Sequence, residues 1–219
     1  MKDIVLENLT VGYRSGKREK VVARNLCTTV KGGLLTCLIG RNGSGKTTLL
    51  RTLAGFLPPL AGRWWLRDTE GGEGTPEDAP LSKTIGVVLT ERMEAGLLRV
   101  REVVALGRTP YTNFWGTLST QDREAVDAAI CQTGLSGMEE RLLHTLSDGE
   151  RQRVFIAQVL AQQTPVILLD EPTAFLDYEG KEELMNRLGR LAHEEGKTIL
   201  MTTHDLELAQ RTADEIKKI

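Results

Sequence analysis

The sequence lacks several features that define broad classes of protein. No stretch approaches the ~20 apolar residues of a membrane-spanning helix, and acidic residues interrupt the N-terminal "MKDIVLENL", where a signal peptide needs an apolar core. Neither sign of charge forms a long block, since 28 Lys and Arg face 30 Asp and Glu for a net charge of -2. We therefore expect a protein kept in the cytoplasm, with no nucleic-acid partner.

Cysteine is also scarce, and its spacing excludes a metal or redox motif. The three cysteines, Cys27, Cys37 and Cys131, are far apart, show no C-x-x-C spacing and stand among apolar neighbours. We predict that they are small buried hydrophobes in a reducing compartment.

The length and the hydrophobic pattern predict one α/β domain. At 219 residues the chain is long enough for one sizeable core. The alternating "DIVLENLTVGY" and "NLCTTV" predict an antiparallel β-rich start, whereas "LLTCLIG" and "PVILLD" are typical of strands buried on both faces. "AGRWWLRD" and "KTIGVVL" predict two further strands, and in the former Trp64 and Trp65 should alternate between core and rim.

Helices dominate the middle and the end of the chain. "VREVVALG", "STQDREAVDAAICQTG" and "MEERLLH" predict a helical subdomain over about residues 99–146, inserted into the α/β core. From Ser147 onward helices and strands alternate, which predicts parallel strands with helical crossovers. The last residues, "DEIKKI", look like a strand just beginning, so we expect that a final hairpin is missing.

The segment "GRNGSGKT", Gly40 to Thr47, matches the phosphate-loop pattern G-x-x-x-x-G-K-S/T and lies between a buried strand and a helix. Its backbone N–H groups can surround a phosphate chain, Lys46 can reach the β- and γ-phosphates, and the Thr47 hydroxyl can ligate Mg²⁺. We therefore predict ATP and Mg²⁺ as cofactors. The predicted nucleotide-binding positions of this segment are Asn42, Gly43, Ser44, Gly45, Lys46, Thr47 and Thr48.

Two further strands should deliver catalytic groups to the same sheet edge. "PVILLDEP" ends in Asp170, predicted to hold the metal, and Glu171, predicted to activate water. His204 follows "KTILMTT", where its imidazole can contact a γ-phosphate and a water. His144 and His193 are interpreted as structural.

"LSDGERQ", Leu146 to Gln152, has two interpretations from its residues alone. Ser147 and Glu150 have the spacing of a helix capping box, which would only start a helix. Gly149 and the basic run after it also suit a helix N-terminus that receives an anion.

Together, "GRNGSGKTT", "LSDGERQR", "VILLDEPTAFLD" and "TTHD" resemble, in this order, the nucleotide-binding subunit of ATP-binding cassette (ABC) proteins. In that family two such subunits enclose two ATP molecules head to tail. The resemblance implies that Ser147 and Gly149 contact the γ-phosphate held by the other subunit. It also implies that Asp177 spans the dimer interface, that Tyr13 stacks on adenine, and that a transmembrane permease is the second partner.

Two departures from the family pattern stand out. The usual signature is LSGGQ, whereas this chain has Asp148 and Glu150, whose negative charge should oppose closure on a polyphosphate unless both side chains point away. The capping box offers Glu150 such an orientation, and Asp148 can interact with the helix dipole. At the position where the family usually has a glutamine stands Thr90, followed by Glu91.

The helical insert resembles that of importers for iron-siderophores, haem and cobalamin, which implies a peripheral subunit on the cytoplasmic face of the membrane. Tyr111, Phe114 and Trp115 either form a surface for a partner helix or pack the core of the insert, and both interpretations stay open. The alternative function is a cassette ATPase that acts on a soluble assembly such as an iron-sulfur scaffold or a ribosome. A third candidate function, a P-loop kinase that transfers phosphate to a small molecule, is disfavoured by the presence of "LSDGERQ".

Overall fold

The computed structural model describes residues 1–16, 18–68, 80–89 and 97–219, and the backbone of residues 73 and 74. The strands of this described part are β1 (Lys2–Ser15), β2 (Arg18–Val30), β3 (Leu35–Ile39), β4 (Ala61–Asp68), β5 (Glu73–Gly74), β6 (Ile85–Val88), β7 (Val166–Leu169), β8 (Thr198–Thr202) and β9 (Glu215–Lys218). Its α-helices are α1 (Lys46–Leu53), α2 (Leu81–Thr84), α3 (Val100–Ala105), α4 (Thr120–Gln132), α5 (Asp148–Ala161), α6 (Tyr178–Glu195) and α7 (Leu206–Thr212).

A parallel sheet forms the centre of the molecule, with strand order β6-β7-β8-β3-β9. Every residue of β7 and β8 is buried, as expected for parallel strands covered on both faces. The register pairs Leu38 with Thr202 and Leu169 with Met201, so the carboxyl ends of β3, β7 and β8 lie level. Whatever follows these strands is therefore brought to one edge of the sheet.

The second sheet is antiparallel, in the order β2-β1-β4-β5, as the alternating N-terminal pattern predicts. Its buried residues, together with those of α1, pack on one face of the parallel sheet. Helices α5, α6 and α7 cover the opposite face. The predicted α/β fold, with a mainly parallel sheet and an antiparallel N-terminal sheet, is confirmed.

Residues 100–145 contain two α-helices, α3 and α4, where three were predicted. Helices α3 and α4 pack with the middle of α5 around their own apolar cluster, and a 3₁₀ helix over Leu106–Tyr111 connects them. The predicted helix "MEERLLH" is wrong: that segment forms turns and the short 3₁₀ helix Leu143–Thr145. Its backbone bonds to the start of α3 instead, for example Val100 N–H to the Arg141 carbonyl at 3.0 Å.

The expectation that all three cysteines are buried also needs correction. Cys37 is buried, and burial raises the pKa of its thiol to about 12, but Cys27 and Cys131 are exposed. Each of the two sits on an element with one solvent-facing side, which its local apolar neighbours do not reveal. Trp64 and Trp65 are both half-buried, and of the two it is Trp64 that packs against the apolar cluster beneath the antiparallel sheet, so the expected alternation holds although neither ring is fully buried. "DEIKKI" forms β9, a full parallel neighbour of β3.

Candidate functional site

The phosphate loop leaves β3 and enters α1 through two glycines in left-handed conformations. Gly43 has a φ of 78° and Gly45 a φ of 106°, values that favour glycine. Gly45 lies so close to β2 that a Cβ at this position would be 3.0 Å from the Val22 side chain. Among the described residues no side chain caps the start of α1, and its first turn has no acidic residue. The N–H groups of this helix start are thus available to an anion.

Lys46 occupies the space inside the loop. Its side chain is almost wholly buried, and its ammonium donates to the carbonyl oxygens of Gly40 at 2.9 Å and Arg41 at 3.3 Å. Among the described residues its partners are these two carbonyls, and a polyphosphate would stabilise a buried cation in such surroundings.

Asp170 lies opposite, at the end of β7, and receives two hydroxyl hydrogen bonds. Thr47 donates to its Oδ2 at 2.8 Å and Thr202 to its Oδ1 at 2.7 Å. The carboxylate is only 2 % exposed. Thr47 and Asp170 thus place a hydroxyl and a carboxylate side by side, and oxygen donors of these two kinds suit Mg²⁺. The described residues include no group of three His, Cys, Asp or Glu side chains placed to hold a metal by themselves.

The side chains of Glu171 and His204 are in contact across the ends of β7 and β8, through Oε1 and Nε2. Both side chains are partly exposed, at 28 % and 43 %. Glu171 has a φ of 50°, a strained left-handed conformation for a residue other than glycine. The predicted general base and the predicted histidine thus meet at the sheet edge that carries Lys46 and Asp170.

Tyr13 lies beside the start of α1, near the end of β1. Its hydroxyl is 3.3 Å from the Thr48 hydroxyl, and the residue is 39 % exposed. An exposed ring next to a phosphate loop can stack on a base.

The start of α5 is organised differently from that of α1. Ser147 is its N-cap and accepts from the N–H of Glu150 at 3.2 Å, while Glu150 accepts from the N–H of Ser147 at 2.7 Å. That second bond holds the pKa of Glu150 below its ordinary value. The capping box is therefore confirmed, and Glu150 turns back onto its own helix. Asp148 pairs with Arg151 at 2.9 Å.

The remaining predicted residues lie along one cleft, away from the phosphate loop. Ser147, Gly149 and Asp177 line a cleft of about 790 Å³ between α5 and α6, whose walls come from α4, α5, α6 and the segment before α6. Asp177 caps α6 by accepting from the N–H of Gly180 at 2.9 Å. The predicted site residues thus fall into two separate groups, called the half-sites below, one at 40–48 with 170–171 and 204, the other at 147–150 with 177.

Three aromatic residues of the insert do not pack its core. Phe114 is 95 % exposed and Trp115 is 84 % exposed, with their rings in an edge-to-face contact, and Tyr111 is 37 % exposed. The core-packing interpretation is therefore wrong, because the loop that follows Tyr111 carries both rings away from the cluster between α3, α4 and α5. These three residues are called the aromatic platform below.

Some residues of these sites were not predicted from the sequence. Thr202 contacts both acids, and the available signal was a hydroxyl residue at the carboxyl end of the strand, directly after its apolar middle. Arg108 and Asp122 form a buried ion pair, at 2.8 Å, that ties the platform to α4, and Arg108 also donates to the Ala161 carbonyl of α5. Their charge at interior positions gave no local signal. Thr90 and Glu91 lie outside the described residues.

Comparison with known proteins supports this picture. The family model described as "ABC transporter" matches residues 23–174. The chain belongs to the ABC transporter family. An uncharacterised ABC transporter ATP-binding protein of Methanocaldococcus jannaschii is 40 % identical over 213 residues, 97 % of this chain and 71 % of that protein. The ferric enterobactin transport ATP-binding protein of Escherichia coli is 39 % identical over 212 residues, 96 % of this chain and 75 % of its own length.

A solved cassette shows the same fold. It is a dimeric ATP-binding cassette in a post-hydrolysis state, bound to ADP and Pi, and it superposes with a TM-score of 0.81 at 28 % identity over 99 % of this chain and 94 % of that one. The chain is thus an ATPase cassette that binds ATP, and cassettes of this family work as dimers with permease subunits. Among the described residues, no helix is long and apolar enough to cross a membrane.

Proposed function

We propose that this cassette hydrolyses ATP to power the import of an iron-siderophore, haem or cobalamin-type compound through a separate membrane permease. One observation carries the proposal: Lys46, the Thr47–Asp170 pair and the Glu171–His204 pair converge at the carboxyl edge of the parallel sheet. Ligands of open α/β sheets bind at this edge.

The phosphate loop would hold the triphosphate of ATP. Its N–H groups at residues 42–48 would donate to the phosphate oxygens, and Lys46 would leave the carbonyls of Gly40 and Arg41 for the β- and γ-phosphates. Tyr13 would stack on the adenine, which requires its weak hydroxyl contact with Thr48 to break.

Mg²⁺ fits the oxygen donors beside the loop. Thr47 and Asp170 would hold it, and the ion would neutralise charge on the β- and γ-phosphates when bound. In the structure the Thr47 hydroxyl donates to Asp170, so this hydroxyl would have to reorient to offer its lone pair.

Glu171 would act as the general base. Its carboxylate would accept a proton as the water oxygen attacks the γ-phosphorus, and the bond from that phosphorus to the β–γ bridging oxygen would break to release ADP. His204, already paired with Glu171, would orient this carboxylate and contact the γ-phosphate. General-base assistance of this kind contributes about 10²- to 10⁴-fold in rate.

A second copy, or a homologous subunit, would complete each ATP site. Ser147 and Gly149 stand on the other half-site and would contact the γ-phosphate bound by the partner, with Asp177 crossing between the two. The two acids of the signature are already paired, Glu150 with Arg141 at 3.4 Å and Asp148 with Arg151. Neither one therefore presents an uncompensated negative charge to the phosphate.

The aromatic platform would receive the permease. Exposed aromatic side chains on a surface are typical of protein interfaces. The platform is anchored to the C-terminal end of α5: the Tyr111 hydroxyl donates to the Gln162 carbonyl at 3.0 Å, and Arg108 donates to the Ala161 carbonyl at 2.8 Å while its guanidinium lies over the Tyr111 ring. The signature motif begins the same helix. A permease that displaces the platform would therefore rotate α5 and, with it, move Ser147.

The solute class rests on the relatives, since ferric enterobactin appears in the name of one 39 % identical protein. Membrane attachment on the cytoplasmic face would come from the permease.

The decisive test of the catalytic assignment is Glu171→Gln. We expect a fall in turnover of about 100-fold or more, with ATP binding retained, and an ATP-dependent dimer in size-exclusion chromatography with light scattering. Glu207→Gln, at an exposed position of α7, is the matched control and should behave as the unchanged protein. A Glu171→Gln variant that turns over normally and stays monomeric with ATP would contradict the proposal.

The test of the partner assignment is purification of the full-length protein from its native cells in mild detergent, followed by mass spectrometry. An equimolar polytopic membrane protein is expected, and its recovery should fall when Phe114 and Trp115 are both replaced by alanine. Phe56→Ala, which removes an exposed ring elsewhere, should leave recovery unchanged. Recovery of only ribosomal or iron-sulfur assembly proteins would overturn the transport proposal in favour of a soluble target.

A further inference from the structure

Thr202 makes contacts that no family motif discussed above assigns to it. It ends β8, two residues before His204, and none of its surface is exposed. Its hydroxyl donates to Asp170 Oδ1 at 2.7 Å and accepts from the backbone N–H of Glu171 at 2.9 Å. One side chain thus touches the carboxylate proposed to hold Mg²⁺ and the backbone of the proposed general base.

The chemistry of a hydroxyl suits this double contact. A threonine hydroxyl has one proton to donate and lone pairs to accept with, so the two bonds are compatible and both are made at once. The bond to a carboxylate is charge-assisted and therefore among the stronger hydrogen bonds of a protein. Valine has nearly the same shape as threonine but would make neither bond.

Glu171 needs such a partner more than most residues do. Its φ of 50° places it in the left-handed region, where a residue with a Cβ persists only if its surroundings hold it. The hydrogen bond from the Glu171 N–H to Thr202 fixes the position of the N–H group and thereby restrains the strained φ angle of Glu171. Without that bond, the backbone of Glu171 would be free to relax and carry its carboxylate away from His204.

We propose that Thr202 is a positioning residue for ATP hydrolysis, which fixes Asp170 and Glu171 relative to each other. The inference rests on the proposed roles of those two acids. It implies that losing the hydroxyl slows the chemical step and weakens the response to Mg²⁺, while nucleotide binding to the phosphate loop stays as it was. Displacements of about 1 Å among catalytic groups cost up to about 100-fold in rate.

Two other buried threonines of the same sheet separate this role from a merely structural one. Thr36 lies on the neighbouring strand β3, is also fully buried, and its hydroxyl has no hydrogen-bond partner among the described residues. Thr198 starts β8 itself and donates to the Lys2 carbonyl at 2.6 Å, far from the carboxyl edge of the sheet. Thr36→Val and Thr198→Val therefore remove a buried hydroxyl without touching the two acids.

The experiment compares Thr202→Val, Thr202→Ser and the two control variants in the full-length protein. ATP turnover is measured against ATP and against Mg²⁺, and the affinity for a fluorescent ATP analogue is measured in EDTA. We expect Thr202→Val to lower kcat about tenfold or more and to raise the Mg²⁺ concentration for half-maximal turnover several-fold. Affinity in EDTA should be unchanged, and Thr202→Ser should restore most of the rate.

Thermal unfolding checks that each variant is folded. Should Thr202→Val fail to fold, Thr202→Cys and Thr202→Ser provide the same comparison, because a thiol of similar size is a weak donor and acceptor. Turnover and Mg²⁺ dependence of Thr202→Val like those of Thr36→Val would overturn the inference. Equal losses in Thr202→Val and Thr198→Val would do so too, since they would show a general loss of stability.

Glu171→Gln, run beside these variants, separates the two levels of the proposal. A wild-type rate for Thr202→Val beside an inactive Glu171→Gln would overturn the role of Thr202 alone. An active Glu171→Gln would remove the proposed general base itself.

Discussion

The two helix starts of this cassette, those of α1 and α5, differ in how their N–H groups are satisfied. Helix α1 begins at a left-handed glycine with no side-chain cap among the described residues and no acid in its first turn. Helix α5 begins at Ser147 with a complete capping box and two acids in its first turn. The first has its donors open and a buried lysine beside them, whereas the second is closed upon itself.

The difference separates a permanent site from a conditional one. Under the proposed function, the α1 start binds phosphate within its own chain, with Lys46 exchanging its two carbonyl contacts for phosphate oxygens. The α5 start is stable without any phosphate, which suits a half-site that waits for a partner subunit.

Lys46→Ala should have the largest effect, because it removes the buried positive charge of the phosphate loop. We expect turnover to fall about 10²- to 10³-fold, in line with the loss of other electrostatic contacts to reacting groups, and the affinity for ATP to fall as well. Turnover assays and fluorescence titration measure both. Lys20→Ala, on an exposed part of β2, should change neither.

Gly45→Ala tests whether the open start of α1 depends on its left-handed glycine. Alanine at a φ of 106° would be strained and would press on Val22 at 3.0 Å, at a cost of about 1–3 kcal/mol, or roughly 5- to 160-fold in nucleotide affinity. Gly116→Ala is the control, because Gly116 has a φ of 66° with open space around it and lies in the insert. Calorimetric titration should show weakened binding for the first variant only.

Ser147→Ala should separate capping from recognition of the partner's phosphate. Both Ser147→Ala and Ser119→Ala break a capping box, so each should cost about 1 kcal/mol in the free energy of unfolding measured with denaturant. In the Glu171→Gln background, sedimentation velocity should show a weakened ATP dimer for Ser147→Ala alone. Equal dimerisation of the two variants would mean that Ser147 serves only its helix.

Glu150→Gln should have the smallest effect, since glutamine keeps the capping box while removing the charge. We expect the ATP dimer to tighten by about two- to threefold at most, because Arg141 already offsets this charge.

Glu150→Gln should also change how the free energy of unfolding depends on pH. The lowered pKa of Glu150 means that its contribution is present above the unfolded-state value of about 4.3 and is lost as the pH falls through the folded value. The glutamine variant should lack this step in acid unfolding curves.

Local patterns predicted most of this molecule. Three kinds of pattern were sufficient: the alternation of apolar residues, the buried runs around Cys37 and Ile167, and the spacing of Ser147 and Glu150. Each depends on residues close together in the chain, so it can be recognised without knowing the tertiary structure. The single domain with an insert over about residues 99–146 stays a prediction. The misplaced helix "MEERLLH" shows the limit, because its carbonyls bond to α3, more than thirty residues away.

Short contiguous motifs are enough to indicate the family, the fold class and the candidate phosphate loop and acids. Which groups meet depends on the folded chain: Thr202 bridges Asp170 and Glu171, Arg108 ties the aromatic platform to α5, and Phe114 and Trp115 face solvent. The physical reason is that these contacts depend on which strands and helices become neighbours, a choice made by the packing of the whole core.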